Sequence, residues 1–227
     1  MNKKINIAID GPSGAGKSTI AKMLAREFGF IYVDTGAMYR ATGLYMCRKG
    51  LTAEHKAEII ASLGEVEVNI AYMDGTQHIY LNGEDVSDKI RTEEVSKYAS
   101  MVSAIPEVRA FLLELQRGLA AKNSVIMDGR DIGTVILPNA EVKIFLTADD
   151  TARAERRYKE LVEKGQEVTF DSVLENIRQR DKNDSERALA PLKPADDAVL
   201  VDTTKLDLQQ SVEAMKSVIQ EKMTHVL

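Results

Sequence analysis

The residues Gly11-Pro12-Ser13-Gly14-Ala15-Gly16-Lys17-Ser18-Thr19 carry the most specific chemistry in this chain. They fit the pattern G-x-x-x-x-G-K-[ST], in which a glycine-rich turn points backbone N–H groups at phosphate oxygens. Lys17 would reach the β- and γ-phosphates of a nucleoside triphosphate, and the Ser18 hydroxyl would ligate Mg2+. A glycine-rich turn with a chance lysine is the plain alternative. The flanks weigh against it: Ile5-Asn6-Ile7-Ala8-Ile9 reads as a buried strand, and Lys17 to Phe28 reads as a helix. The positive end of that helix dipole would face the anion.

Further groups suited to anions follow along the chain. In Asp34-Thr35-Gly36-Ala37-Met38-Tyr39-Arg40, Thr35 is placed to cap a helix starting near Ala37, with Arg40 about one turn in. An ordinary cap beside a surface arginine is the bland alternative. Asp128-Gly129-Arg130-Asp131 comes straight after another apolar segment, a site-like position. Asp128 stands where phosphate-loop enzymes keep the acid that assists Mg2+ through water, and Asp34 is its rival. Arg153, Arg156 and Arg157 share one helix face by spacing, and Arg180, Asp184 and Arg187 share another. A solvated salt-bridge ladder would show the same spacing. A site that must offset charge on several phosphate oxygens favours arginine, whose planar fork suits them.

The elements that must position these groups alternate. Phe30-Ile31-Tyr32-Val33, Val125-Ile126-Met127, Val142-Lys143-Ile144-Phe145-Leu146 and Ala198-Val199-Leu200-Val201 read as further strands separated by helical segments. That order predicts an α/β fold, a parallel sheet with helices on both faces, which binds ligands beyond the carboxyl ends of its strands. Glu65 to Val86 breaks the pattern. Val66, Val68 and Ile70, then Ile79 and Leu81, alternate with polar residues, and Asp74-Gly75 and Asn82-Gly83 are hairpin turn pairs. The expected organisation is a core of residues 1–36 and 120–227. A mostly helical unit, residues 37–119, interrupts it and carries a small antiparallel sheet at about residues 65–86.

Composition sets outer limits. The chain has 227 residues, 44% hydrophobic and 29% charged, with a formal net charge of -5. Such a balance exerts no long-range pull on nucleic acid or anionic lipid, so any basic site must be local. Cys47, the only cysteine, excludes an intrachain disulfide and reads as a structural thiol. His55, His78 and His225 are scattered, and no zinc site is expected. No apolar run approaches the roughly 20 residues that span a bilayer. The start, Met1-Asn2-Lys3-Lys4, lacks the apolar core of a signal peptide, so the cytoplasm is the expected location.

Taken together, Gly11 to Thr19, Asp34-Thr35-Gly36-Ala37-Met38-Tyr39-Arg40, Asp128-Gly129-Arg130-Asp131-Ile132-Gly133-Thr134 and Arg180-Asp181-(x)2-Asp184-(x)2-Arg187 resemble the bacterial cytidylate kinases nearly end to end. The resemblance implies a nucleoside monophosphate kinase fold with a short helical lid near residues 153–173. It implies transfer of the γ-phosphoryl group of ATP to CMP or dCMP with Mg2+. Thr35, Arg40, Arg130 and Arg187 would hold the acceptor phosphate. Ser100, Arg109 and Asp131 would read the cytosine, and Arg180 and Asp184 would meet the sugar. Many relatives carry serine where Thr35 stands, which keeps the hydroxyl. The lid donors would be Arg153 and Arg156 toward ATP, with Arg157 joining Lys17, Arg130 and Arg187 in catalysis. A monomer without nucleic-acid or membrane partners is expected.

The implied chemistry is consistent with these parts. The acceptor is itself a phosphate with a second pKa of about 6, so it attacks as a dianion and needs no catalytic base. A carboxylate such as Asp131 accepts from the N4 amino group of cytosine and repels the O4 of uracil, which predicts CMP over UMP. Two other functions remain open at this point: a kinase with another small acceptor, and a nucleotide-dependent switch. A switch would need one nucleotide site and no acceptor pocket.

Overall fold

The structure is a computed structural model that describes residues 4–73 and 75–224. Asp74 of the expected first hairpin turn and His225 lie outside the described residues. In chain order the elements are β1 (Asn6–Asp10), α1 (Lys17–Phe28), β2 (Ile31–Asp34), α2 (Thr35–Arg48), α3 (Lys56–Ser62), β3 (Val68–Met73), β4 (Thr76–Leu81) and β5 (Glu84–Asp85). There follow α4 (Glu93–Ser103), α5 (Pro106–Lys122), β6 (Val125–Gly129), β7 (Val142–Thr147), α6 (Asp150–Glu163), α7 (Phe170–Glu186), β8 (Val199–Asp202) and α8 (Leu208–Thr224).

Among the described residues, five strands pair in parallel in the order β2-β6-β1-β7-β8. Near-continuous apolar strands such as Ile7-Ala8-Ile9 and Val125-Ile126-Met127 have side chains pointing to both faces, so both faces must be covered. Ile7, Ile9, Ile126 and Ile144 pack with Ile20 and Leu24 of α1 and Val212 and Met215 of α8. Ala8, Val33, Val125 and Met127 pack on the opposite side with Met38 and Ala41 of α2 and Val108 and Leu112 of α5. Residues 37–119 thus share their apolar core with the sheet. Each fully buried aliphatic chain contributes about 1.5–3 kcal/mol of transfer free energy.

The antiparallel expectation also appears, as β3-β4-β5 with Val68 opposite Leu81 and Ile70 opposite Ile79. This small sheet docks on the edge strand of the large one. The Tyr72 hydroxyl donates to the Tyr32 carbonyl at 3.1 Å, and the Asp34 amide donates to Gln77 Oε1 at 2.9 Å. An otherwise open sheet edge is thereby shielded.

Register decides what the carboxyl rim displays. Asp10 lies level with Gly129, and Asp34 lies level with Asp128. Three carboxylates therefore line one rim of the sheet beside the glycine loop.

One local expectation is corrected. Thr35 does not cap α2. The helix starts at Thr35 itself, and Asp34, still extended at the strand end, caps it by accepting from the Ala37 amide at 2.9 Å. Being one residue inside the helix frees the Thr35 hydroxyl, which donates to the Asp128 carbonyl at 2.8 Å.

Candidate active site

The glycine loop joins β1 to α1 as expected. Gly11 adopts a φ of 150°, and a Cβ there would lie 2.0 Å from the Leu146 carbonyl oxygen, so only glycine fits between the loop and β7. The N–H groups of Gly14, Ala15 and Gly16 donate to no protein atom among the described residues. They form an unfilled anion nest at a helix N-terminus. Lys17, 5% exposed, arches over the loop and donates to the Gly11 and Pro12 carbonyls, each at 2.7 Å. Burial first, then the nearby Arg130, pushes its pKa down to about 7.

The two acidic rivals occupy different environments. Asp128 accepts from the Ser18 hydroxyl and from the Tyr32 hydroxyl, both at 2.8 Å, and makes no ion pair among the described residues. Burial, then Asp34, pushes its carboxyl above the usual range. Asp34 is also buried, but Arg40 at 3.0 Å and Arg91 at 3.3 Å outweigh that burial and hold its carboxyl down. Of the two, the carboxylate beside Ser18 is the one that no arginine pairs with among the described residues; Lys17 is its nearby cation.

The arginines fall into three groups. Arg130 donates through Nε to Asp184 at 2.7 Å. Arg187 contacts Asp131 at 3.3 Å and Asp184 at 3.9 Å, and Arg109 pairs with the other Asp131 oxygen. Chain-distant residues of α5, the β6 end and α7 thus form one largely buried network, and of the ladder expected along α7 only the Arg187–Asp184 rung is present among the described residues. Arg40 and Arg180 make up the second group. The Arg40 Nε is buried without a hydrogen-bond partner. Arg180 opens to the cleft with no hydrogen bond or ion pair among the described residues. Protein surrounding the cleft, then the like charges of Arg130, Arg40 and Arg157, lowers its pKa to about 10. Ser100 sits half-buried on α4. That helix approaches α2 closely because Gly43 has no side chain: a Cβ there would lie 2.8 Å from the Ala99 nitrogen.

The third group departs from the expected common face. Arg153 is buried and saturated, donating to the Ala148 and Ser13 carbonyls at 2.8 Å and pairing with Asp181 at 2.5 Å. Asp181 accepts in turn from the Ser13 amide at 3.0 Å, so α6 and α7 clamp the tip of the glycine loop. Arg156 turns instead to the Thr203 and Leu206 carbonyls at 2.5 and 3.2 Å. Arg157, whose side chain is 40% exposed, pairs among the described residues only with Glu160, at 2.8 Å. A small cluster of Ala154, Val173 and Ile177 with Tyr158 and Phe170 forms the core of the α6–α7 pair.

Sequence reasoning missed several participants. Asp181 stood inside a quoted motif without a role. Tyr32 read only as part of a strand. Asp10 had a signal, a charged residue closing an apolar strand directly before Gly11. No local pattern pointed to Arg91, because its partner Asp34 lies far away in the chain.

Comparison with known proteins resolves the family. The model of the cytidylate kinase family matches residues 7–221. The chain belongs to the cytidylate kinase family. Among cytidylate kinases, that of Caldicellulosiruptor bescii is 51% identical over 211 residues, covering 93% of each chain. That of Caldicellulosiruptor saccharolyticus is 52% identical over 211 residues, again 93% of each. A solved structure of an uncharacterized protein from Eubacterium ventriosum shares the fold at a TM-score of 0.54. It is 15% identical, and the match covers 96% of this chain and 99% of that one. Among the described residues no helix is long and apolar enough to cross a membrane.

Proposed function

We propose that this protein transfers the γ-phosphoryl group of ATP to CMP or dCMP. The observation that carries the reading is the gathering of Arg130, Arg40 and Arg157 about Arg180, against which Asp184 pulls, while Arg180 makes no hydrogen bond or ion pair among the described residues. Guanidiniums repel one another, so the arrangement favours a dianion among them. A second anion nest lies in the glycine loop, and a nucleotide switch would need only one. Thr35, Arg40, Arg130 and Arg187 hold the acceptor phosphate in this reading, and Lys17 and the loop amides hold the donor. Ser100, Arg109 and Asp131 read the base, and Arg180 and Asp184 meet the sugar.

The oxygen donors of Ser18 and Asp128 suit Mg2+, which prefers hard oxygen ligands and usually keeps several waters. Asp128 fits better than Asp34, because Arg40 and Arg91 already neutralise Asp34, whereas no arginine pairs with Asp128 among the described residues and its carboxyl is pushed up. Bound there, the ion would neutralise charge on the β- and γ-phosphoryl oxygens. Every other contribution comes from the chain: Lys17 and the arginines offset repulsion between the two nucleotides, and closure of the lid, residues 153–173 of the α6–α7 pair, excludes water. The small core of that pair suits a segment that opens readily. Residues 37–119 form the acceptor-binding unit, and the working form is a cytoplasmic monomer. The test is a coupled assay of ADP formation with ATP, Mg2+ and each nucleoside monophosphate in turn. Turnover should be highest with CMP and dCMP, and equal turnover with AMP or UMP would refute the assignment.

A further inference from the structure

A buried carboxylate lies in the rim without an assigned part in binding or transfer. Asp10 is 3% exposed, ends β1 and directly precedes Gly11. One of its oxygens accepts from the Ile132 amide and the other from the Gly133 amide, both at 2.7 Å. These amides open a single wide helical turn, Ile132–Ile136, in which Val135 and Ile136 both donate back to the Asp131 carbonyl. The first N–H groups of such a turn have no partner within it. Asp10 supplies that partner from another strand. The residues immediately before the turn are Arg130 and Asp131.

We propose that Asp10 is a positioning residue that ties the acceptor-site loop to the phosphate loop. The proposal rests on the reading of Arg130 and Asp131 as acceptor-binding groups. One side chain, adjacent in sequence to the donor loop, sets where the backbone carrying those two groups sits. Charge-assisted bonds to two consecutive amides fix position and angle together, which one bond cannot do. Burial is the dominant influence on this carboxyl and pushes it up to about 6; Asp131 adds to the push, while the two amides and Lys17 oppose it.

The variant Asp10→Asn keeps the volume but turns one acceptor into an NH2 that faces an amide N–H. The expected result is a rise of about tenfold in the KM for CMP, the size of one charge-assisted hydrogen bond, with the KM for ATP within about twofold. Asp10→Glu, which retains the charge, should recover part of the loss. Equal increases in both KM values, or no change in either, would overturn the proposal. Should Asp10→Asn fail to fold, wild-type protein without nucleotide gives a second readout. The Ile132 and Gly133 amide resonances should titrate with one shared midpoint near pH 6, and two unmoved resonances would overturn the tether. Lack of wild-type turnover with CMP would instead remove the functional reading, and the amide titration would still report on the tether.

Discussion

Replacing Asp131 by asparagine separates base reading from fold maintenance. Asp131 is buried between Arg109 and Arg187, whose side chains are each 8% exposed. Loss of its charge leaves the desolvated Arg109 without its carboxylate and Arg187 with only the longer Asp184 contact at 3.9 Å. Removing one partner of such a buried set costs about 3–5 kcal/mol. Asparagine still offers one carbonyl acceptor, so the lower end, about 3 kcal/mol, is expected. For a chain of this length that lowers Tm by about 6–12 °C. Activity toward any substrate therefore falls, and a raw rate loss proves little. The ratio of kcat/KM for CMP to that for UMP is free of this problem, because both substrates draw on the same folded enzyme. Asparagine can donate to the O4 of uracil and accept less strongly from the N4 amino group of cytosine. One polar base contact is worth about 1–3 kcal/mol of discrimination, so the ratio should fall about tenfold or more. Thermal melts fix the folded fraction, and steady-state kinetics with both nucleotides give the ratio. An unchanged ratio in a folded variant would refute Asp131 as the base reader, whatever its Tm.

Gly11→Ala places a methyl group 2.0 Å from the Leu146 carbonyl, so ATP binding by calorimetry should be lost, and normal ATP affinity would refute the close approach. Arg187→Met should lower kcat/KM for CMP at least about tenfold; wild-type turnover would mean that the guanidinium serves only its contacts with Asp131 and the Ala190 carbonyl. Stability should also follow pH through Asp10. Its folded pKa of about 6 lies above the ordinary aspartate value of 3.8, so the native state binds the extra proton between those limits. That contribution is fully present below about pH 4 and is lost as pH rises through 6. It amounts to about 3 kcal/mol, which urea melts of wild type against Asp10→Asn should show as a difference changing across pH 4–6.

Much of the architecture was legible along the chain. The glycine loop, the apolar strands and the alternating Val66-to-Leu81 segment each have a local cause: a backbone turn, burial on two faces, or burial on one. Those causes act over a few residues, so spacing reveals them. Family motifs also brought Arg40, Arg130, Arg180 and Arg187 to notice. Pairings had no such signal. Asp128 and Asp34 look alike in sequence, yet strand register set one beside Ser18 and a helix start gave the other to Arg40 and Arg91. Arg153, Arg156 and Arg157 share a spacing, but the phosphate loop, the segment after β8 and Glu160 of the same helix claimed them separately.

The chain by itself therefore determined which chemical groups are present and which local elements carry them, because those follow from neighbouring side chains and backbone preference. Tertiary structure alone decided which charges meet. Arg109 reaches Asp131 across 22 residues, Arg130 reaches Asp184 across 54, and Asp10 reaches Gly133 across 123. Charge interactions depend on distance through space and on exclusion of water, and both exist only once the sheet has set its register and the helices have closed over it.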